Sequence, residues 1–184
     1  FISTNNGASW SVVNSGLLST KINALTSIGV NIFAGTFDSG IFLSTNNGTS
    51  WNAVNSGVPN SYLRSLATDG TNIFGGTYGD GVHLTTTSGS SWTPVNTGLP
   101  YADVRAIAID GTNIFATVGT NKVIYKINPA TKTLVSSVTA TAVAFNLRGI
   151  AFDSTANAGA GGFWVSAFRQ SPRLSNPADS VLQN

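Results

Sequence analysis

Ser44-Thr45-Asn46-Asn47-Gly48-Thr49-Ser50-Trp51 recurs as Ser3-Thr4-Asn5-Asn6-Gly7-Ala8-Ser9-Trp10 and as Thr85-Thr86-Thr87-Ser88-Gly89-Ser90-Ser91-Trp92. The copies stand 41 residues apart, and Gly16, Gly57 and Gly98 keep the same interval, as do the Asn-Ile-Phe tripeptides that begin at Asn31, Asn72 and Asn113. Several independent markers in one register define a repeat. A period of that length has to be read before any single element is assigned.

Working outward from the third copy, Leu63 to Thr68 is apolar at alternate positions and runs into Asp69-Gly70-Thr71, a hairpin signal. Asn72 to Thr77 forms a second strand, Tyr78-Gly79-Asp80-Gly81 turns the chain, and Val82 to Thr86 alternates again. A Ser-Gly-Ser turn leads to a fourth strand around Trp92 to Val95. Four short antiparallel strands in about 41 residues match one blade of a β-propeller. A helical solenoid would need apolar residues at 3.6-residue spacing, and these alternate at two.

The reading is therefore all-β: a single β-propeller segment over 1–184, an open arc of three full blades and two half-blades. Its expected divisions are 1–20 (half-blade), 21–61, 62–102, 103–146, and 147–184 (partial blade and tail).

Composition agrees. Ser, Thr and Asn fill 63 of 184 positions and Gly another 20, favouring strands and turns over helices. There is no Glu, no Cys, no Met and one His, which excludes thiolate chemistry, a multi-histidine metal site and any mechanism needing a glutamate. No metal or cofactor is expected. The nine Lys and Arg are scattered at net charge +2, without the basic patch of a nucleic-acid binder. No run of 18 apolar residues is present to insert in a membrane as a helix. The chain opens on Phe1-Ile2-Ser3-Thr4, which reads as the middle of a strand and suggests a segment of a longer protein.

The three quoted octapeptides resemble the Asp-box, or BNR repeat, of pattern Ser/Thr-x-Asp-x-Gly-x-Thr/Ser-Trp that marks sialidase-like β-propellers. The aspartate position holds Asn5, Asn46 and Thr87, a consistent departure. The box makes physical sense as a fold element. Gly7, Gly48 and Gly89 supply a positive φ, the short polar residue caps backbone amides, and Trp10, Trp51 and Trp92 pack between sheets. The C-terminal part, 122–138, lacks the box, and its Asn128-Pro129-Ala130-Thr131 hairpin is similar to that of YVTN-type bacterial surface propellers. The resemblance implies a secreted or cell-surface bacterial protein.

The candidate binding residues follow from blade position. Arg64, Arg105 and Arg148 each start an innermost strand, and Asn23 takes the matching place in the first full blade. Two readings stand: a guanidinium ring for an anionic ligand, or arginines each paired with an Asp or carbonyl to lock blade to blade. On the same face fall Phe37-Asp38-Ser39 and Tyr78-Gly79-Asp80, with Tyr62 and Tyr101 in the connecting loops. Aromatic rings beside carboxylates on loops suit a carbohydrate or protein surface, or else plug gaps between blades.

Asp69, Asp110 and Asp153 close successive first strands and read as turn residues bonding their own backbone. His83 stands where the preceding blade has Phe42, which implies packing.

The expected function is a non-catalytic binding or scaffolding module that meets a glycan or protein partner through Arg64, Arg105, Arg148, Asp38, Tyr62, Tyr78, Asp80 and Tyr101. The alternatives are part of a sialidase-like or xyloglucan-acting glycoside hydrolase, and, from resemblance to propeller assembly factors, a propeller that binds a protein complex.

Overall fold

The computed structural model describes residues 1–59, 62–100, 103–119, 123–139, 147–153 and 162–167. Tyr101, the Gly/Ala-rich insertion at 154–161 and the tail from 168 lie outside the described residues. No described residue is helical, and the chain folds as a succession of small antiparallel sheets.

The first sheet comprises β1 (Ile22–Ile28), β2 (Asn31–Thr36), β3 (Ile41–Ser44) and β4 (Asn52–Ala53), paired in that order. The second repeats it with β5 (Leu63–Thr68), β6 (Ile73–Thr77), β7 (Val82–Thr85) and β8 (Thr93–Pro94). The third holds β9 (Val104–Ile109), β10 (Ile114–Val118), β11 (Val123–Asn128) and β12 (Thr133–Thr139). Two further strands, β13 (Leu147–Asp153) and β14 (Gly162–Ala167), pair with each other. Residues 1–11 carry one bridge, Ile2 to Ser11, in place of the two strands read there.

The box turns form in all three copies. In the second, Asn46 Oδ1 accepts the Ser50 amide at 2.9 Å and Ser44 Oγ accepts the Gly48 amide at 2.8 Å. In the third, Thr87 Oγ1 accepts the Ser91 amide at 3.1 Å and Thr85 Oγ1 that of Gly89 at 3.0 Å. A neutral oxygen therefore caps the turn without a carboxylate. Gly7, Gly48 and Gly89 hold φ of 85°, 82° and 89°, as the turn requires. In the hairpin between β11 and β12, Asn128 Oδ1 accepts the amides of Ala130 and Thr131 at 2.9 and 3.2 Å.

Sheets stack because strand two of one receives strand one of the next. A Cβ placed on Gly35 of β2 would lie 3.0 Å from Leu63 Cβ, and one on Gly76 of β6 only 2.6 Å from Val104 Cγ1. Those small positions are sockets for the next sheet's first apolar side chain. Phe33, Ile41, Leu63, Ile73 and Trp92 form the core between sheets one and two. Phe74, Val82, Val104, Ile107 and Ile114 belong to the core between sheets two and three.

Tryptophans latch each sheet to the segment before it. Trp51 Nε1 donates to Val13 O at 2.9 Å and Trp92 Nε1 to Val54 O at 2.8 Å, and both indoles are buried. Trp10, in the same motif, is exposed, since no preceding sheet lies against it among the described residues.

Candidate functional site

Three repeat-related backbone bonds build one rim. The amides of Phe37, Tyr78 and Gly119, just after strand two of successive sheets, donate to the carbonyls of Lys21, Tyr62 and Asp103 at 2.9, 3.0 and 2.6 Å. The residues before strand one and after strand two thus lie side by side.

The next feature is a shift in register. In each sheet the pairing of strands one and two skips a residue: Asn23 between Ile22 and Ala24, and Arg64 between Leu63 and Ser65. Arg105 is skipped between Val104 and Ala106, and Arg148 between Leu147 and Gly149. A bulge releases its residue from the ladder and re-aims it. Arg148 is placed by its backbone alone.

Asn23 and Arg64 reach the entrance of the following sheet, whereas Arg105 turns to the entrance of its own. Asn23 Nδ2 donates to Leu63 O at 2.7 Å. Arg64 Nε lies 2.9 Å from Asp103 Oδ1 as an ion pair too bent for a hydrogen bond. Arg105 Nη2 donates to Asp103 Oδ2 at 3.2 Å. One carboxylate therefore serves two guanidinium groups and leaves the cluster an excess positive charge. The buried Arg105 Nε has no hydrogen-bond partner among the described residues.

Around this cluster stand three half-exposed rings. Phe37 and Tyr62 meet edge to face with centroids 5.1 Å apart, and Tyr62 and Tyr78 do so at 6.4 Å. Arg64 lies over the Tyr78 ring at 4.7 Å and Lys21 Nζ over Phe37 at 5.3 Å. Asn23, Phe37, Tyr62, Arg64 and Tyr78 line a concavity of about 320 Å³. Its walls combine apolar ring surface with a partly exposed guanidinium, the composition of a binding cleft.

The fold is that of a β-propeller. No protein-family model and no curated protein matches the sequence. Among solved structures the arc resembles the computationally designed Ika4 protein, with a TM-score of 0.62 and 12% identity over 85% of this chain and 99% of that one. It also resembles the Niastella koreensis GH74 enzyme, with a TM-score of 0.57 and 21% identity over 70% of this chain and 23% of that one. YCF48 bound to D1 peptide is similar too, with a TM-score of 0.57 and 15% identity over 79% of this chain and 47% of that one. The propeller arc thus spans less than half of the latter two chains, and at these identities the likeness is one of fold.

Of the sequence-predicted residues, the propeller brings Tyr62, Arg64 and Tyr78 into one cleft, with Arg105 joined through Asp103. Asp38 sits at its margin, where a hydrogen bond from Ser19 and, against some burial, Ser39 and the Lys21 charge hold its carboxyl below the usual value. Asp80 lies apart, its carbonyl accepting from Asn96 Nδ2 at 2.8 Å. Tyr101 lies outside the described residues.

Asp103 and Lys21 were missed, while Phe37 and Asn23, placed on this face by the repeat, were not counted among the binding residues. The signal was present, since Lys21, Tyr62 and Asp103 are 41 residues apart, but three different residue types at one repeat position do not advertise a shared place.

Proposed function

We propose that this arc is a non-catalytic binding module of the BNR type, belonging to a secreted or cell-surface bacterial protein, that holds a protein or glycan partner in the Phe37–Tyr62–Tyr78 cleft. One observation carries the reading: three half-exposed rings in edge-to-face contact, with Arg64 stacked on Tyr78, surround a concavity of about 320 Å³.

A polypeptide segment is the better fit. Sugar stacking needs open ring faces, whereas Arg64 and Lys21 cover one face each of Tyr78 and Phe37. The covering cations leave less open ring face and present positive charge beside it, which suits an extended chain with an acidic group. The peptide in the name of the YCF48 structure is consistent with that choice.

A hydrolytic role gains less support, because three of the aspartates, Asp69, Asp103 and Asp110, are committed to turns or arginines. Asp69 Oδ1 accepts the amides of Thr71 and Asn72 at 2.9 and 2.7 Å, and Asp103 is shared by two arginines.

The test is a peptide array and a glycan array probed with the chain and with Tyr78→Ala. Binding to peptides that the variant loses by about tenfold or more supports the reading. Hydrolysis of xyloglucan or a sialoside by the chain overturns it.

A further inference from the structure

Asp103 is divided unequally between its two arginines. Arg105 stands two residues further along the same strand entrance, its side chain is 13% exposed, and its Nη2 donates a hydrogen bond of 3.2 Å to Asp103 Oδ2. Arg64 comes from the sheet before, its side chain is 34% exposed, and its Nε lies 2.9 Å from Asp103 Oδ1 without the angle of a hydrogen bond. The first pairing is local in sequence; the second is an ion pair across a sheet boundary.

Two buried atoms of this cluster go without a hydrogen bond among the described residues. Arg105 Nε has no acceptor and Asp103 Oδ1 no donor. Such groups cost stability while they persist. They complement each other, and their side chains are already joined through Nη2 and Oδ2, so one more bond would complete a two-bond fork. Arg64, facing Oδ1, stands against it.

Of the three residues, Arg64 alone lines the concavity, beside Asn23, Phe37, Tyr62 and Tyr78. Two guanidinium groups against one carboxylate leave a single positive charge, and Lys21 and Asp38 at the margin offset each other. A single charge matches a carboxylate better than a doubly charged phosphate.

Resting on the reading of this cleft as a peptide site, we infer that its ligand carries a carboxylate that takes Arg64 from Asp103, and that Asp103 then closes onto Arg105 through both oxygens. Arg64 touches the ligand. Asp103 and Arg105 are positioning residues behind it: the internal carboxylate occupies Arg64 until an external one replaces it, and the second bond to Arg105 offsets the loss. The Tyr78 ring, 4.7 Å from the Arg64 guanidinium carbon, already orients that group and leaves it less freedom to lose on binding. An acidic side chain and a peptide C-terminus both present the required planar pair of acceptors.

Three labelled decapeptides test this by fluorescence anisotropy with the full chain. One alternates alanine and aspartate with both ends blocked, the second replaces aspartate by asparagine, and the third is the second with a free C-terminal carboxylate. At least one carboxylate peptide should bind about tenfold or more tighter than the blocked asparagine peptide, and which one gains identifies the source. Arg64→Gln should erase the difference. Asp103→Asn removes the competing carboxylate, so it should tighten the carboxylate peptide about threefold or more while leaving the blocked asparagine peptide unchanged. A purely structural Asp103 would weaken both.

Arg105→Lys keeps the charge but loses Nε, and should weaken the carboxylate peptide about threefold. In isotope-labelled chain the Arg105 Nε proton, identified by its absence from that variant, should move downfield when the carboxylate peptide is added, because it gains an acceptor. Equal affinity for all three peptides while Tyr78→Ala still weakens them, looser carboxylate binding in Asp103→Asn, or an Arg105 Nε proton that stays in place overturns the inference and leaves the peptide cleft standing. Absence of binding by all three peptides and by every peptide on the array overturns both.

Discussion

Replacing His83 by phenylalanine should stabilise the protein. His83 is buried in β7, its Nδ1 has no hydrogen-bond partner among the described residues, and its repeat equivalent in β3 is Phe42, also buried. A phenyl ring at this position is thus already accommodated once in the same architecture. Phe42 faces Ala34 and Ala53, and His83 faces Gly75 and Pro94, so the substituted ring exchanges one methyl of space on the strand-two side for a bulkier neighbour on the other.

Removing an unpaired buried polar atom is worth about 1–3 kcal/mol. Imperfect fit of the larger ring takes back part of that. A net gain of about 1–2 kcal/mol raises the melting temperature by roughly 2–8 °C in a chain of this size.

The pH dependence gives an independent check. Burial holds the His83 imidazole below its usual value, with the Asp80 charge opposing. The unfolded chain therefore takes up the proton first. Stability is full above about pH 6.5 and falls as the pH drops toward the folded-state value. In His83→Phe that slope should vanish. Urea titrations followed by circular dichroism between about pH 5 and 8 measure both quantities. A variant that melts lower than the parent, or keeps the parent's slope in that window, refutes the reasoning.

Three further outcomes are expected. Trp92→Ala should cost about 3–5 kcal/mol in urea unfolding, because it empties the core between sheets one and two and frees the Val54 carbonyl. Asp103→Asn should destabilise by about 1–2 kcal/mol, discounted for partial exposure of the partners, and should loosen Arg64 from Tyr78, visible in tyrosine-ring NMR shifts. In Asp69, burial pushes the carboxyl up, but the amides and side chain of Asn72, with the Thr71 amide, outweigh it and hold the carboxyl below its usual value. That stabilisation is present above about pH 4 and is lost as pH falls through the folded-state value, so Asp69→Asn should flatten the acid limb of unfolding.

Much of the arc was legible because its signals are local. Strand one of the second sheet spans Leu63–Thr68, the stretch read from alternation, and the turn at Asp69 is held by the backbone bonds expected of it. Tyr62, Arg64 and Tyr78 were placed on one face because the period fixes which end of each strand a loop leaves.

The sharing of Asp103 between Arg64 and Arg105 was not legible. It depends on the distance from one sheet to the next, and no spacing within a repeat encodes that.

The sequence alone determined the order of strands within the repeated sheets and their hairpin turns. Alternation, glycine and short polar side chains act over a few bonds and do so identically every 41 residues. Tertiary structure alone decided which residue Asn23, Arg64 and Arg105 each grasp and how the three rings face one another. Those outcomes depend on the stacking of one sheet on the next, where a difference of an ångström separates a contact from a gap.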